Sequence, residues 1–286
     1  MRGSATATLI VAVVGSLAAA ALAVTAEPTA DALARIRSSG ELRWGADAQG
    51  GAPYVFQDPM DPNHLIGFEV DVAAALAAEL GVQARPVQGQ WDLLLDLLGR
   101  GDFDIALNGI EVADEKQRVC ALTRPYYVAP ERLTVRRGDA AAPRSLATLR
   151  ARRVGTLPGS LAERILTRAG AEVRTYDGGQ NEIYADLLLG RTDAVLLDAP
   201  ISLYYGEIEP GLETVPGALG EVRYAIAVPL GDETLRAALD TALARLATIV
   251  RGADTERPDL HSASGGLFAA ALGMSVLFGA DDRATL

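Results

Sequence analysis

"LLGRGDFDIALNGIEVADEKQR", Leu97 to Arg118, is the stretch on which the fold turns. Apolar helix turns run into Gly99 and Gly101. A short apolar run follows at Phe103, Ile105 and Leu107, and the chain then breaks at Asn108-Gly109 into a charged cluster. Helix, glycine stop, buried strand and polar strand end together make the repeating unit of an α/β sheet. The plan returns later in the chain. "LLLDLLGRGDFDIALNG" (93–109) and "YADLLLGRTDAVLLDAP" (184–200) both read as apolar helix, Gly, Asp, apolar strand and polar end. Similar units in each half suggest two lobes built alike; two ordinary units of a single sheet are the alternative.

Working outward, "LRWGAD" (42–47) reads as a first strand. In "GFEVDVAAALAAELG" (67–81), Phe68, Val72, Leu76 and Leu80 recur every four residues, and Gly81 supplies a left-handed stop. After "ERLTVRRG" (131–138) the composition shifts to "DAAAPRS" (139–145), a boundary between lobes, and a second α/β run begins. "RRVGTLPG" (152–159) leads to Ser160-Leu161-Ala162-Glu163, whose S-x-x-E form predicts a helix start at Ser160. "AEVRTYD" (171–177) is the next strand, with a helix from about Glu182 to Leu189 and another strand in "TDAVLLDAP" (192–200). "RYAIAVPL" (223–230) returns the chain, and Asp232 caps a long helix bearing Leu235, Leu239, Leu243, Leu246 and Val250.

The 286 residues suffice for one large core or two medium ones, and a hydrophobic fraction of 49% with 22% charged residues describes a globular protein. A formal net charge of -11 argues against a nucleic-acid partner, because neutralising phosphates requires clustered Lys and Arg. Cys120 is the only cysteine and His64 and His261 the only histidines. That excludes an intramolecular disulfide and a Cys- or His-rich metal site; no cofactor or metal is expected. Arg2 precedes an uncharged run from Gly3 to Ala26 that ends in small residues. It reads as an export signal over residues 1–26, with an uncleaved membrane anchor as the alternative. A second uncharged run, Ser262 to Ala280, lies in a tail (257–286) that is either a packed helix or a membrane segment. Either run would allow membrane association, and export places the bulk of the chain outside the cytoplasm.

In open α/β sheets ligands bind beyond the carboxyl ends of the strands. The polar groups at those ends are Asp47; Asn108 with Gly109 and Glu111; Gly159 with Ser160; and Asp198. Asp198 stands before Ala199-Pro200, where an acid also serves as a helix cap, and Trp91 opens a helix, where it is ordinarily core. Lys116, the chain's single lysine, is ordinarily a solvated helix charge. Motifs for a nucleophile elbow, a phosphate loop or a zinc protease are absent from the sequence.

In order along the chain, "GELRWGAD", "GFEVDVAAALAAELG", "WDLLLDLLGRGDFDIALNG", "RPYYV", "SLATLRARRVGTLPGS" and "GRTDAVLLD" resemble the extracellular solute-binding proteins of family 3. These deliver polar amino acids to ABC importers. The likeness runs from about Gly40 to Gly252. It implies an α/β, two-lobe periplasmic-binding-protein fold of type II, with lobes joined by two crossing strands, "ERLTVRR" and "VRYAIAVPL". Lobe 1 would comprise residues 31–134 with 225–256, and lobe 2 would be the insertion 135–224. It also implies a binding protein with no enzymatic step, periplasmic or otherwise exported, partnered by an ABC permease and a small-molecule ligand, an amino acid or related amine. On that resemblance Asp47 and Trp91 line the first-lobe wall, with Trp91 stacking on the ligand. Backbone groups at Asn108 and Gly109 help hold it. Lys116 stands where an arginine clamps the ligand carboxylate, Ser160 and Leu161 offer N–H groups to the same carboxylate, and Asp198 accepts the ammonium.

Departures from the pattern concern the ligand. Lys116 in place of Arg gives a point charge instead of a bidentate fork. Glu111 stands where Ser or Thr is common, so that Glu111 either pairs with Lys116 or makes the cleft acidic together with Asp47 and Asp198. Two other functions stay open: a module fused or anchored to a membrane permease or sensor, and a dehydratase-type enzyme on the same fold with Glu111 as its acid or base.

Overall fold

The structure, a computed structural model, describes residues 31–256 apart from 50 and 178. The expected export signal (1–26), the tail (257–286) and the side chain of Val250 lie outside what is described. Along the chain run α1 (Ala32–Ser39), β1 (Glu41–Ala46), a hairpin of β2 (Phe56–Asp58) and β3 (Asp61–Ile66), then α2 (Phe68–Leu80) and β4 (Gln83–Gln88). Next come α3 (Leu94–Arg100), β5 (Ile105–Ala106), α4 (Asp114–Gln117), β6 (Cys120–Leu122) and β7 (Tyr127–Arg136). The second run holds β8 (Arg153–Thr156), α5 (Leu161–Ala169), β9 (Glu172–Thr175), α6 (Gln180–Leu188), β10 (Ala194–Asp198) and α7 (Ala199–Ile201). β11 (Leu212–Thr214), β12 (Gly220–Tyr224), β13 (Ala227–Pro229) and α8 (Glu233–Glu256) complete it.

Two sheets organise these elements. The first has the order β4-β1-β5-β13-β6; the second has β11-β7-β10-β8-β9, with β12 also on β7. The two echoed units become α3–β5 and α6–β10. Each strand lies between a parallel neighbour, β1 or β8, and an antiparallel one, β13 or β7. The single-sheet alternative is thereby removed. Leu42, Trp44, Ile105, Leu76 and Leu239 pack about the first sheet, and Leu133, Val154, Leu166 and Leu196 about the second. Gly81 closes α2 in the left-handed conformation at φ 76°. Gly45 is fixed by a close approach, since a β-carbon there would sit 2.2 Å from the Phe103 ring.

The crossings fall elsewhere than the sequence suggests. β7 pairs with β10, β11 and β12 along its length, so "ERLTVRR" lies wholly in the second sheet. The chain changes sheets at Thr123–Tyr126 and again at Ala225–Ile226. These two segments run side by side, with Thr123 N donating to Ile226 O (3.0 Å), Ile226 N to Thr123 Oγ1 (3.0 Å) and Tyr126 N to Tyr224 O (2.9 Å). The apolar run of β7 begins at Tyr126, directly after Thr123-Arg124-Pro125, so the break reads as an ordinary short loop. Pro125, which cannot donate to a ladder, stands at it.

Candidate ligand-binding cleft

A cavity of about 530 Å³ opens between the sheets. Of the nine residues expected at a site, Asp47, Trp91, Asn108, Gly109, Glu111, Ser160 and Asp198 line it; Lys116 and Leu161 do not. Its acidic lining residues are Asp47, Asp92, Glu111, Glu131, Asp177 and Asp198, and among the described residues no lysine or arginine lines it. The described residues contain no group of three or more His, Cys, Asp or Glu placed to hold a metal ion.

On the first-lobe wall the polar groups are held by one another. Asp47 accepts hydrogen bonds from Gln49 N (3.0 Å), Gln88 Nε2 (2.9 Å) and Trp91 N (3.1 Å). Its own N–H donates to Asn108 Oδ1 at 2.8 Å. The backbone groups expected to grip a ligand are engaged internally: Asn108 O accepts from Trp91 Nε1 (2.8 Å), and Gly109 N donates to Glu69 Oε1 (2.8 Å). Glu69 sits in the first turn of α2, where helix N–H groups favour an anion. It also accepts from Asn108 Nδ2 (3.3 Å) and the Tyr126 hydroxyl. Burial pushes its carboxyl up to about 7 even against these donors.

On the second-lobe wall, Asp198 caps α7 by accepting from Ile201 N (3.2 Å) and also receives the Tyr224 hydroxyl, itself 3.2 Å from that of Tyr54. Cap and cleft residue are thus one and the same. Burial pushes Asp198 up to about 6 despite those bonds. Directly across the antiparallel ladder stands Glu131, buried, with its carboxyl raised well above the usual range by burial and then by Asp198 and Glu111. Among the described residues, Glu131 Oε2 and the Oε1 of buried Gln180 find no hydrogen-bond partner.

Ser160 performs the role its motif predicts. Its Oγ accepts from Glu163 N (3.1 Å), α5 begins at Leu161, and Glu163 in turn accepts from Gly159 N (2.7 Å). The first free N–H of α5 is taken by Glu111. Leu161 N donates to Glu111 Oε1 at 2.9 Å; Arg164 Nη2 lies 3.0 Å from Oε2 and Lys116 Nζ 3.8 Å from it. Lys116 sits instead in a side crevice with Trp91, Pro158 and Gly159, its ammonium 5.2 Å above the indole ring. Burial lowers its pKa, and Glu111 offsets part of that. The Glu111–Lys116 pair read from the sequence is present, and a cleft with many acids surrounds it.

Glu69, Glu131, Arg164 and Gln180 escaped the sequence reading. Two of them carried a signal. Glu131 falls in register with Ala129, Leu133 and Val135 on the buried face of β7, and Glu69 shares the stripe of Ala73, Leu76 and Leu80 on α2. An acid in an apolar register is an invitation to look. Arg164 reads like any exposed helix arginine.

An interlobe cleft set beside two crossing segments defines a two-lobed binding protein, and the relatives agree. Residues 29–248 match the bacterial extracellular solute-binding proteins, family 3, and the chain belongs to that family. It is 30% identical to the L-cystine-binding protein TcyJ of Escherichia coli over 75% of this chain and 80% of that one. It is 32% identical to an L-arginine-binding protein of Pseudomonas aeruginosa, over 79% and 88%. The arginine-bound form of a truncated ArgBP from T. maritima superposes with a TM-score of 0.68 at 28% identity, over 74% of this chain and 99% of that one. The fold is therefore the two-lobe, type II periplasmic-binding-protein fold.

Proposed function

We propose that the protein captures an amino acid or a related amine in this cleft, outside the cytoplasm, and delivers it to an ABC importer. The observation that carries the reading is the cavity lining: six acidic side chains and no lysine or arginine, a surface that attracts a cation and repels an anion. Relatives whose names record cystine and arginine as ligands support the amino-acid class. Asp198 receives the ligand ammonium, Trp91 and Asp47 form the facing wall, and the segments at Thr123–Tyr126 and Ala225–Ile226 are the hinge about which the lobes close. The first lobe then comprises 31–122 with 227–256, and the second 127–224. Export rests on the uncharged run from Gly3 to Ala26.

The binding reading is preferred over a dehydratase because Glu111, the acid an enzyme would need, is spent on Leu161 N, Arg164 and Lys116. No helix among the described residues is long and apolar enough to cross a membrane, and an anchored module would rest on the two terminal runs alone. Calorimetric titration of the purified protein against the common amino acids and simple amines tests the proposal. Saturable binding of at least one is the expected result; heats indistinguishable from dilution across the whole panel would end it.

A further inference from the structure

Beside the cleft is one corner suited to an anion. The N–H of Leu161 opens the nine-residue helix α5, Arg164 lies a turn along it, and Lys116 approaches from the first lobe. Such a corner would hold a ligand carboxylate through backbone N–H and guanidinium together. It is filled from within the chain. Glu111, 5% exposed, places Oε1 on Leu161 N and Oε2 against Arg164 and Lys116, and the other arm of Arg164 pairs with Glu115 at 2.8 Å. A carboxylate arriving with a ligand would meet no uncompensated cation, only the acids of the lining.

The opposite wall has the converse need. Asp198 and Glu131 are direct cross-strand partners of β10 and β7, so their side chains share one face with Cβ atoms about 4.5–5.5 Å apart. Two carboxylates so placed repel each other, and the repulsion is relieved either by a proton on one of them or by a cation lying between them. Among the described residues, Glu131 (2% exposed) has no partner for its Oε2 and Gln180 (7% exposed) none for its Oε1. Both residues line the cavity. Buried acceptors left open call for donors, and an ammonium offers three N–H donors where a guanidinium offers five.

Resting on the proposed capture of an amine-bearing solute, we infer that the ligand is a small organic cation without a carboxylate. Glu111 occupies the carboxylate's seat, and Asp198, Glu131 and Gln180 receive the cationic end. The seat being taken and the acceptors being empty are independent observations, and they point the same way.

Matched pairs test this: agmatine against arginine, cadaverine against lysine, and histamine against histidine, each titrated calorimetrically near neutral pH. In the unmodified protein at least one amine should bind about tenfold or more tightly than its parent amino acid. Glu111→Ala, which vacates the seat, should move that ratio about tenfold toward the parent, and Glu111→Gln should move it the same way by less. A ratio taken within one variant is insensitive to a general loss of affinity. Parent amino acids that bind as tightly as their amines in the unmodified protein would overturn the inference and leave amine-bearing solutes as the proposed cargo. Binding of neither member of any pair would also overturn the inference; the proposed function would then stand if another amino acid of the wider panel binds, and fall with the inference if none does.

Discussion

On the first-lobe wall, Asp47 accepts three hydrogen bonds and Glu69 three more, all from the protein itself. On the second-lobe wall, Glu131 and Gln180 each keep a buried acceptor without a partner, and Glu131 faces a second carboxyl across the ladder. Both walls bury acids, and they do so for different reasons. The first uses its acids to shape a loop, since a fully satisfied buried network rigidifies what it connects. The second leaves its acids unfinished, which costs folding free energy and marks a place for something else to bind.

The largest expected effect is on affinity. Asp198→Asn should weaken binding of the cationic ligand by about 2–5 kcal/mol, as for a buried charge partner removed. Asp47→Asn should cost under about 1 kcal/mol, since its carboxylate already has internal partners. Equal losses by calorimetry would erase the distinction between the walls. Next come opposite effects on stability. Glu69→Ala strands the Gly109 N–H, the Tyr126 hydroxyl and the Asn108 amide, and should lower unfolding stability in urea by about 3 kcal/mol. Glu131→Gln removes a desolvated carboxyl and should raise the ligand-free stability by about 1 kcal/mol while weakening binding. A destabilised Glu131→Gln would show that its carboxyl supports the fold after all.

The remaining effect is with pH. Glu69 is raised to about 7, Asp198 to about 6, and Glu131 is raised as well. The folded state therefore holds more protons than the unfolded chain from the ordinary carboxylate range up to those values. By linkage, its stability falls as pH rises through that window. Acids held low by arginine partners, such as Asp104 and Asp193, titrate below it and add nothing there. Thermal unfolding without ligand should thus occur at a lower temperature at about pH 8 than at about pH 5, with saturating cation shrinking the gap. Affinity should fall as pH drops below about 6, where Asp198 takes up its proton. A flat profile for both quantities would mean that these acids do not titrate where their burial places them.

Much of the fold was legible because its signals are local. The α3–β5 and α6–β10 echo, the stop at Gly81 and the cap at Ser160 each depend on a few neighbouring residues. That Asp47 and Asp198 line the cavity was legible for a related reason, since strand ends converge on a cleft whatever the details between them, while Trp91 followed only from the family resemblance. The crossing at Thr123–Tyr126 was not legible, because Thr123-Arg124-Pro125 reads like any short loop and the apolar run of β7 begins directly after it. The fate of the anion corner was hidden too. That Glu111 reaches the end of α5 depends on how two distant lobes meet, and 50 residues separate it from Leu161. The roles of Glu131 and Gln180 rest on absent partners, and no spacing rule reports those.

Lys116 has one more consequence. It is the chain's single lysine, so apart from the terminal α-amine it is the one ordinary target for an acylating reagent. Its ammonium rests over Trp91 beside Glu111, where the halves of the molecule touch, with a side chain only 14% exposed. The speed of its chemical labelling therefore gauges how often that contact parts, a built-in sensor of breathing that needs no engineered probe.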